Sequence, residues 1–247
     1  MKVLKHMSFA AWALASPVVA DDLVVFAAAS LKGPLDVIAA DVGDVRISYG
    51  GSGTLARQVQ HGAPADVILL ANEDWMRVLQ EDAAVKTPVA IAGNRLVVIG
   101  PEGAGPLDLM EPAFKDALGD GRLAMGFVAA VPAGIYGQAA LAHLGLWEAL
   151  RPSVAEVDSV RGAVALVARG EAPLGIVYES DARLVPGVSV RATFPAEAHP
   201  PIVYWGAVVT GADHPGAEAF LQTLTEESGQ DALREAGFCP IAQGCPE

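Results

Sequence analysis

The sequence predicts an α/β fold with largely parallel sheets. Three observations carry that prediction. Short apolar, β-rich runs alternate with helix-like stretches along the chain, glycines close several of the helices, and small residues crowd the strand-to-helix junctions. The 247 residues, 52% apolar and 18% charged, suffice for one large domain or two lobes with a buried core.

The first twenty residues stand apart. Lys2, Lys5 and His6 make a basic start, residues 7–15 (MSFAAWALA) are apolar throughout, and SPVVA ends the run on small residues. This pattern predicts a cleavable secretory signal over residues 1–20, because a membrane span needs about 20 apolar residues. No Cys follows the cleavage point, which argues against a lipoprotein anchor. Loss of Lys2 and Lys5 takes the net charge from −13 to −15. Such an excess of acid disfavours nucleic acid and anionic membrane surfaces as partners.

Strands are expected over residues 23–27, 45–49, 66–70, 95–99, 123–126, 174–178 and 203–209. Helices are expected over 55–61, closed by Gly62, and over 73–81. Two more fall over 136–144, closed by Gly145, and over 164–169, closed by Gly170. No repeat and no Ser/Gly linker marks a boundary, so two lobes would have to be joined without a floppy tether. Cys239 and Cys245 are the only cysteines; in an oxidising compartment they are expected to form a local disulfide that pins the tail.

The junctions carry the chemistry. VFAAASL leads through Ser30 into a helix, and YGGSGTL places Gly50, Gly51 and Gly53 around Ser52 just before one. VPAGIY sets Ala133 at a helix start, and SVRGAV does the same for Val160. The first turn of a helix has unpaired N–H groups and the positive end of the dipole, and small residues let an anion approach them. Taken singly, Ser30 reads as an N-cap and the glycines as a turn. Together they point to an anion pocket, since such ends converge at one crevice of an open α/β sheet. Enzyme motifs are missing: Thr54 stands where a serine-hydrolase elbow needs Gly, and no Gly-Lys-Ser/Thr follows the glycines. Asp66 reads as a cap or structural acceptor at a strand start.

The segments VFAAASL, GSGTLARQVQHGAPADV, VPAGIY, VRGAVALV and APLGIVYESDA, in this order, resemble the periplasmic molybdate-binding proteins of ABC-type importers. The resemblance runs along essentially the whole chain after residue 20. It implies a two-lobed periplasmic-binding-protein fold of type II, with a tetrahedral oxyanion in the cleft. One lobe would comprise residues 21–93 and 204–247 and the other 94–203, with 95–99 and 203–209 as crossing strands and a stiff hinge. Carried over by motif, Ser30 and Ser52 would each offer hydroxyl and backbone N–H from one lobe. Ala133 and Val160 would offer backbone N–H from the other, and Tyr178 its phenol. Arg161, beside Val160, takes a structural or rim role by the same analogy. The resemblance implies capture of molybdate or tungstate without cofactor or direct metal ligand, no catalysis, a monomer, and delivery to a membrane permease. Phe127-Val128 departs from the family, where many members have Asp-Pro.

Molybdate and tungstate are unprotonated dianions at neutral pH, so a pocket of donors without a carboxylate suits them. Hydrogen phosphate would want an acceptor, and sulfate differs only in size. A receptor for sulfate or another oxyanion is the alternative within the fold. An exported hydrolase using Ser30 or Ser52 is the alternative outside it, but His61, His143, His199 and His214 sit in no recognisable triad motif.

Overall fold

A computed structural model describes residues 22–241 and Cys245. The predicted signal, residues 1–20, lies outside them. The chain begins with three strand-helix units: β1 (Leu23–Ala28), α1 (Lys32–Val42), β2 (Val45–Gly50), α2 (Ser52–Gln60), β3 (Val67–Leu70) and α3 (Glu73–Glu81). After β4 (Val89–Gly93) it crosses to a second body. There it forms β5 (Leu96–Pro101), α4 (Glu111–Leu118), β6 (Leu123–Gly126), α5 (Pro132–His143) and α6 (Trp147–Leu150). β7 (Val154–Val157), α7 (Val160–Ala168), β8 (Leu174–Tyr178), α8 (Glu179–Leu184) and β9 (Val188–Thr193) complete that body. The chain then returns as β10 (Val203–Val208), α9 (Ala217–Thr223) and α10 (Glu227–Glu235).

Two five-stranded sheets result, ordered β2-β1-β3-β10-β4 and β7-β6-β8-β5-β9. We call the body around the first sheet lobe 1 and the other lobe 2. The expectation of largely parallel sheets needs correction. β1 pairs in parallel with β2 and β3, and β6 with β7 and β8, but β10 and β5 are antiparallel to both neighbours. The reason is directional. The βαβ strands run towards the cleft, so a strand that enters a lobe from the other one must run away from it. β5 enters lobe 2 in this way and β10 enters lobe 1. The crossings are Asn94-Arg95 and residues 194–202, so each of the two strands named as crossing lies within one sheet.

Strands β4, β7 and β9 and helices α4, α6, α8, α9 and α10 go beyond the sequence-based elements. The helices predicted to start at 55, 136 and 164 begin at Ser52, Pro132 and Val160. The small-residue junctions are thus the first turns of the helices themselves. Gly62 and Gly170 end α2 and α7 with φ of 81° and 72°, a conformation costly for any residue with a Cβ.

Buried apolar side chains fill both lobes, with Leu23, Val25, Leu35 and Leu69 in lobe 1 and Phe114, Leu123, Leu141 and Ile176 in lobe 2. Phe26, Leu55, Ile68, Met76 and Leu79 form a further cluster under α2 and α3. Cys239 and Cys245 are joined in a disulfide. Cys239 also exchanges two backbone hydrogen bonds of 2.9 Å with Gly93, so the tail is tied to the last residue of β4 at the crossing. Asp66 starts the strand segment as an acceptor: its Oδ2 takes the Val24 N–H at 2.8 Å.

Close packing at one glycine sets the position of α5. A methyl group on Gly134 would lie 2.1 Å from the Gly126 carbonyl oxygen at the end of β6. Gly134→Ala should therefore lower the unfolding free energy by about 1–3 kcal/mol, the range for overpacking a rigid site. Urea denaturation checks this, and an unchanged midpoint would refute it.

Candidate functional site

The C-terminal ends of β1, β2, β6 and β8 point at the space between the lobes. The segments after β1 and β2 are short and side-chain-poor, so backbone amides there face the cleft, whereas β8 brings the Tyr178 side chain to it. A small cavity lies at this point. Ala29, Ser30, Gly50, Gly51, Ser52 and Ala71 of lobe 1 line it, with Val131, Pro132, Ala133, Val160 and Tyr178 of lobe 2. All five residues singled out from the sequence as oxyanion contacts, Ser30, Ser52, Ala133, Val160 and Tyr178, meet here. Phe127, Val128 and Arg161 are not in the lining. The Val128 N–H is held by the Glu156 carboxylate at 2.8 Å, and the Phe127 ring is exposed.

The hydroxyls are oriented by their neighbours. Tyr204 donates its O–H to Ser30 Oγ at 2.9 Å, and Ala71 N–H donates to Ser52 Oγ at 3.0 Å. Each serine oxygen is thereby occupied as an acceptor, which leaves its own proton to be donated. Ser30 and Ser52 are each only 1% exposed. The Tyr178 hydroxyl is buried with no hydrogen-bond partner among the described residues. Burial pushes the Tyr178 phenol well above its usual range, so it stays a proton donor. Ser52 and Val160 open α2 and α7, and Ala133 follows Pro132 in the first turn of α5. The amides of these residues precede the first intrahelical bonds and are free to donate.

The lobes are closed on one another. Trp75 Nε1 of α3 donates to the Ala130 carbonyl of lobe 2 at 3.0 Å. Arg161 Nε of α7 donates to the Ala29 carbonyl of lobe 1 at 2.8 Å. A Cβ on Gly51 would come within 2.5 Å of the Asp158 carbonyl oxygen across the cleft. Behind the cavity, Asn94 at the crossing donates to Ser180 Oγ at 2.8 Å, joining the hinge to α8.

Three participants escape sequence reasoning. By pattern alone Tyr204 belongs to a strand and Trp75 to a helix, with no sign of a role at the cleft. Asp181, in the first turn of α8, is 1% exposed and neither carboxylate oxygen has a hydrogen bond among the described residues. Burial pushes its carboxyl up to about 7, against the pull of Arg161. The segment YESDA holds no sign of this, because an acidic residue in a first helical turn usually faces water.

Two lobes closed over a small cavity lined by Ser30, Ser52 and Tyr178, with no carboxylate or imidazole in the lining, fit a solute-binding protein for an anion. The chain matches the model of the bacterial extracellular solute-binding proteins over residues 23–239. It is 40% identical over 239 residues to the molybdate-binding protein ModA of Escherichia coli, covering 92% of this chain and 93% of that one. It is 40% identical to the ModA protein of Haemophilus influenzae over 226 residues, covering 87% and 89%. The solved periplasmic molybdate-binding protein of Azotobacter vinelandii superposes with a TM-score of 0.77 at 26% identity, covering 92% of this chain and all of the other. The chain belongs to the bacterial extracellular solute-binding protein family and, within it, to the ModA molybdate-binding proteins.

Gly51 tests the role of closure. Its φ of −69° and ψ of 136° suit any residue, so Gly51→Ala should fold normally. The methyl group should nevertheless hold the lobes apart, so small-angle scattering with saturating anion should give a larger radius of gyration than wild type. Equal radii would show that the cleft tolerates the methyl.

Proposed function

We propose that this protein captures molybdate or tungstate in the periplasm and hands it to the membrane permease of an ABC importer. One observation carries the reading most directly: the buried, unpartnered Tyr178 hydroxyl in a cavity whose other lining side-chain polar groups are the Ser30 and Ser52 hydroxyls. A buried donor without an acceptor costs about 1–3 kcal/mol, and an oxyanion with only acceptor oxygens removes that cost. Ser30 and Ser52 supply hydroxyl and amide protons from lobe 1. Ala133 and Val160 supply amides from lobe 2, and the Tyr178 phenol closes the set. The first turns of α2, α5 and α7 add the positive ends of three helix dipoles.

The lining has no His, Asp or Glu that could serve as a base for Ser30 or Ser52. This supports capture without catalysis, and the binding event requires no cofactor. It also disfavours hydrogen phosphate, whose proton needs an acceptor. Against sulfate, selection rests on size: a closed cavity built for a larger tetrahedron leaves the smaller one with stretched bonds. Delivery as a monomer after removal of residues 1–20 completes the reading.

Thermal unfolding with each anion tests it. A ligand at ~1,000 times its Kd adds about 4 kcal/mol of stability. Molybdate and tungstate should raise the Tm by several degrees, with sulfate and phosphate near baseline; equal stabilisation by sulfate would make this a general oxyanion receptor.

The individual donors are tested by Ser30→Ala, Ser52→Ala and Tyr178→Phe. Hydrogen bonds to charged groups contribute about 1.5–3 kcal/mol, so each change should weaken molybdate binding roughly 10- to 150-fold. Calorimetric titration reads the loss, and unchanged affinities in all three would place the anion elsewhere.

A further inference from the structure

Arg161 and Asp181 present a mismatch just outside the cavity. Arg161 Nε lies 3.8 Å from Asp181 Oδ1, close enough for attraction but beyond hydrogen-bond reach, and donates instead to the Ala29 carbonyl. Arg161 Nη2 and both Asp181 oxygens are buried with no hydrogen bond among the described residues. A guanidinium and a carboxylate side by side, each with unused bonding capacity, would ordinarily form a forked pair. Here the contact made across the cleft draws the guanidinium aside.

The surroundings of Asp181 come from both lobes. Its helix α8 belongs to lobe 2, yet Ser180 meets Asn94 at the crossing and Leu184 reaches the position where a Cβ on Gly33 of α1 would lie, at 2.9 Å. Around Ser180, a Cβ on Gly237 of the lobe 1 tail would come within 3.4 Å. The titratable groups facing Asp181 are Arg161 from α7, Tyr178 at the end of β8 and Tyr204 of β10 in lobe 1. Burial keeps both phenols protonated. On its own helix, Glu179 is engaged by Arg95 and Arg183. Towards lobe 1, Arg161 also faces Asp36 of α1 and Tyr49 of β2, and Asp36 is bonded to Lys32 at 2.9 Å and to the Tyr49 hydroxyl at 2.7 Å.

We infer that Arg161 is a positioning residue that changes partners as the lobes close, leaving Asp181 for the Ala29 carbonyl, and that Asp181 then takes a proton from solvent. The inference rests on the proposed capture of an oxyanion in this cleft and deepens it. In the open molecule the Ala29 carbonyl is out of reach, and Arg161 forks onto an ionised Asp181. Closure moves the guanidinium to Ala29, which braces the first turn of α7, where Val160 offers its amide, against the turn that carries Ser30. Asp181 is left dehydrated and without its partner, and a neutral carboxyl is the cheaper occupant of that site. The closed state binds the extra proton, so lowering the pH favours closure and tightens anion binding.

With the closed-state carboxyl near 7 and the open-state one in the ordinary range, linkage gives the size of the effect. Molybdate should bind the wild-type protein about tenfold more tightly at pH 6 than at pH 8. Titration calorimetry in buffers of different ionisation heat should count close to one proton taken up per anion at pH 6, and little uptake at pH 8. Asp181→Asn mimics the neutral acid, so it should bind at pH 8 at least as tightly as wild type does at pH 6, with no pH slope. Arg161→Gln should speed molybdate release about tenfold or more while leaving the association rate unchanged. A merely structural role for Asp181 would weaken the Asn variant equally at every pH and leave the slope intact, which would overturn the inference. Should that variant fail to fold, the proton count on wild type decides alone. Tight molybdate binding with no proton uptake sinks the partner exchange and spares the proposed function. Absence of binding by every oxyanion sinks both.

Discussion

A buried hydrogen-bond donor must find an acceptor, and the cleft of this protein gathers donors that the chain itself leaves without one. Ser30 and Ser52 have their oxygens occupied by Tyr204 and Ala71, the Tyr178 hydroxyl has no partner among the described residues, and the first amides of α2, α5 and α7 precede their helical ladders. Water can satisfy such groups while the lobes are apart. Once Trp75 and Arg161 reach across and the walls shut, a small anion with acceptor-only oxygens satisfies them best. In the proposed function, the same set of unmet bonds would account for the affinity, for a preference for unprotonated oxyanions and for the energetic reason to close.

The sheets exist to bring those donors to one point. In each lobe the parallel strands end at the cleft, and the antiparallel β10 and β5 begin there, because the chain enters each lobe from the other. That arrangement makes the hinge short. Asn94 and Arg95 form one crossing, bound to Ser180 and Glu179 on the lobe 2 side, and the Cys239–Cys245 tail clasps Gly93 on the lobe 1 side. Close approach also dictates composition: at Gly51 and Gly134 a single methyl group would collide with a carbonyl oxygen.

A net charge of −13 is no obstacle to holding an anion. Exposed charges are screened beyond about 8–10 Å at ordinary salt, whereas dipoles and hydroxyls in a dry cavity act at contact distance. Arg161, the cation beside Val160, stands outside the lining and spends its hydrogen bond on the opposite lobe. In the proposed site, neutral donors hold the ligand, while Arg161 braces one wall against the other.

Much of this was legible in the sequence by itself. Alternating apolar runs and Gly stops marked the α/β class, and the small residues around Ser30 and Ser52 marked an anion pocket, while Ala133, Val160 and Tyr178 were singled out by the family resemblance. These are local properties, set by spacing and by the absence of side chains. The antiparallel strands were not legible, since direction depends on which lobe a strand enters from. Strands β4, β7 and β9 carry weaker apolar patterns, being edge strands with many half-buried residues. Asp181 and Tyr204 acquire their roles only when residues far apart in the chain are stacked across two lobes. Burial, orphaned oxygens and a guanidinium drawn from one partner to another are consequences of distance in space, and a linear pattern of residue types holds no measure of that distance.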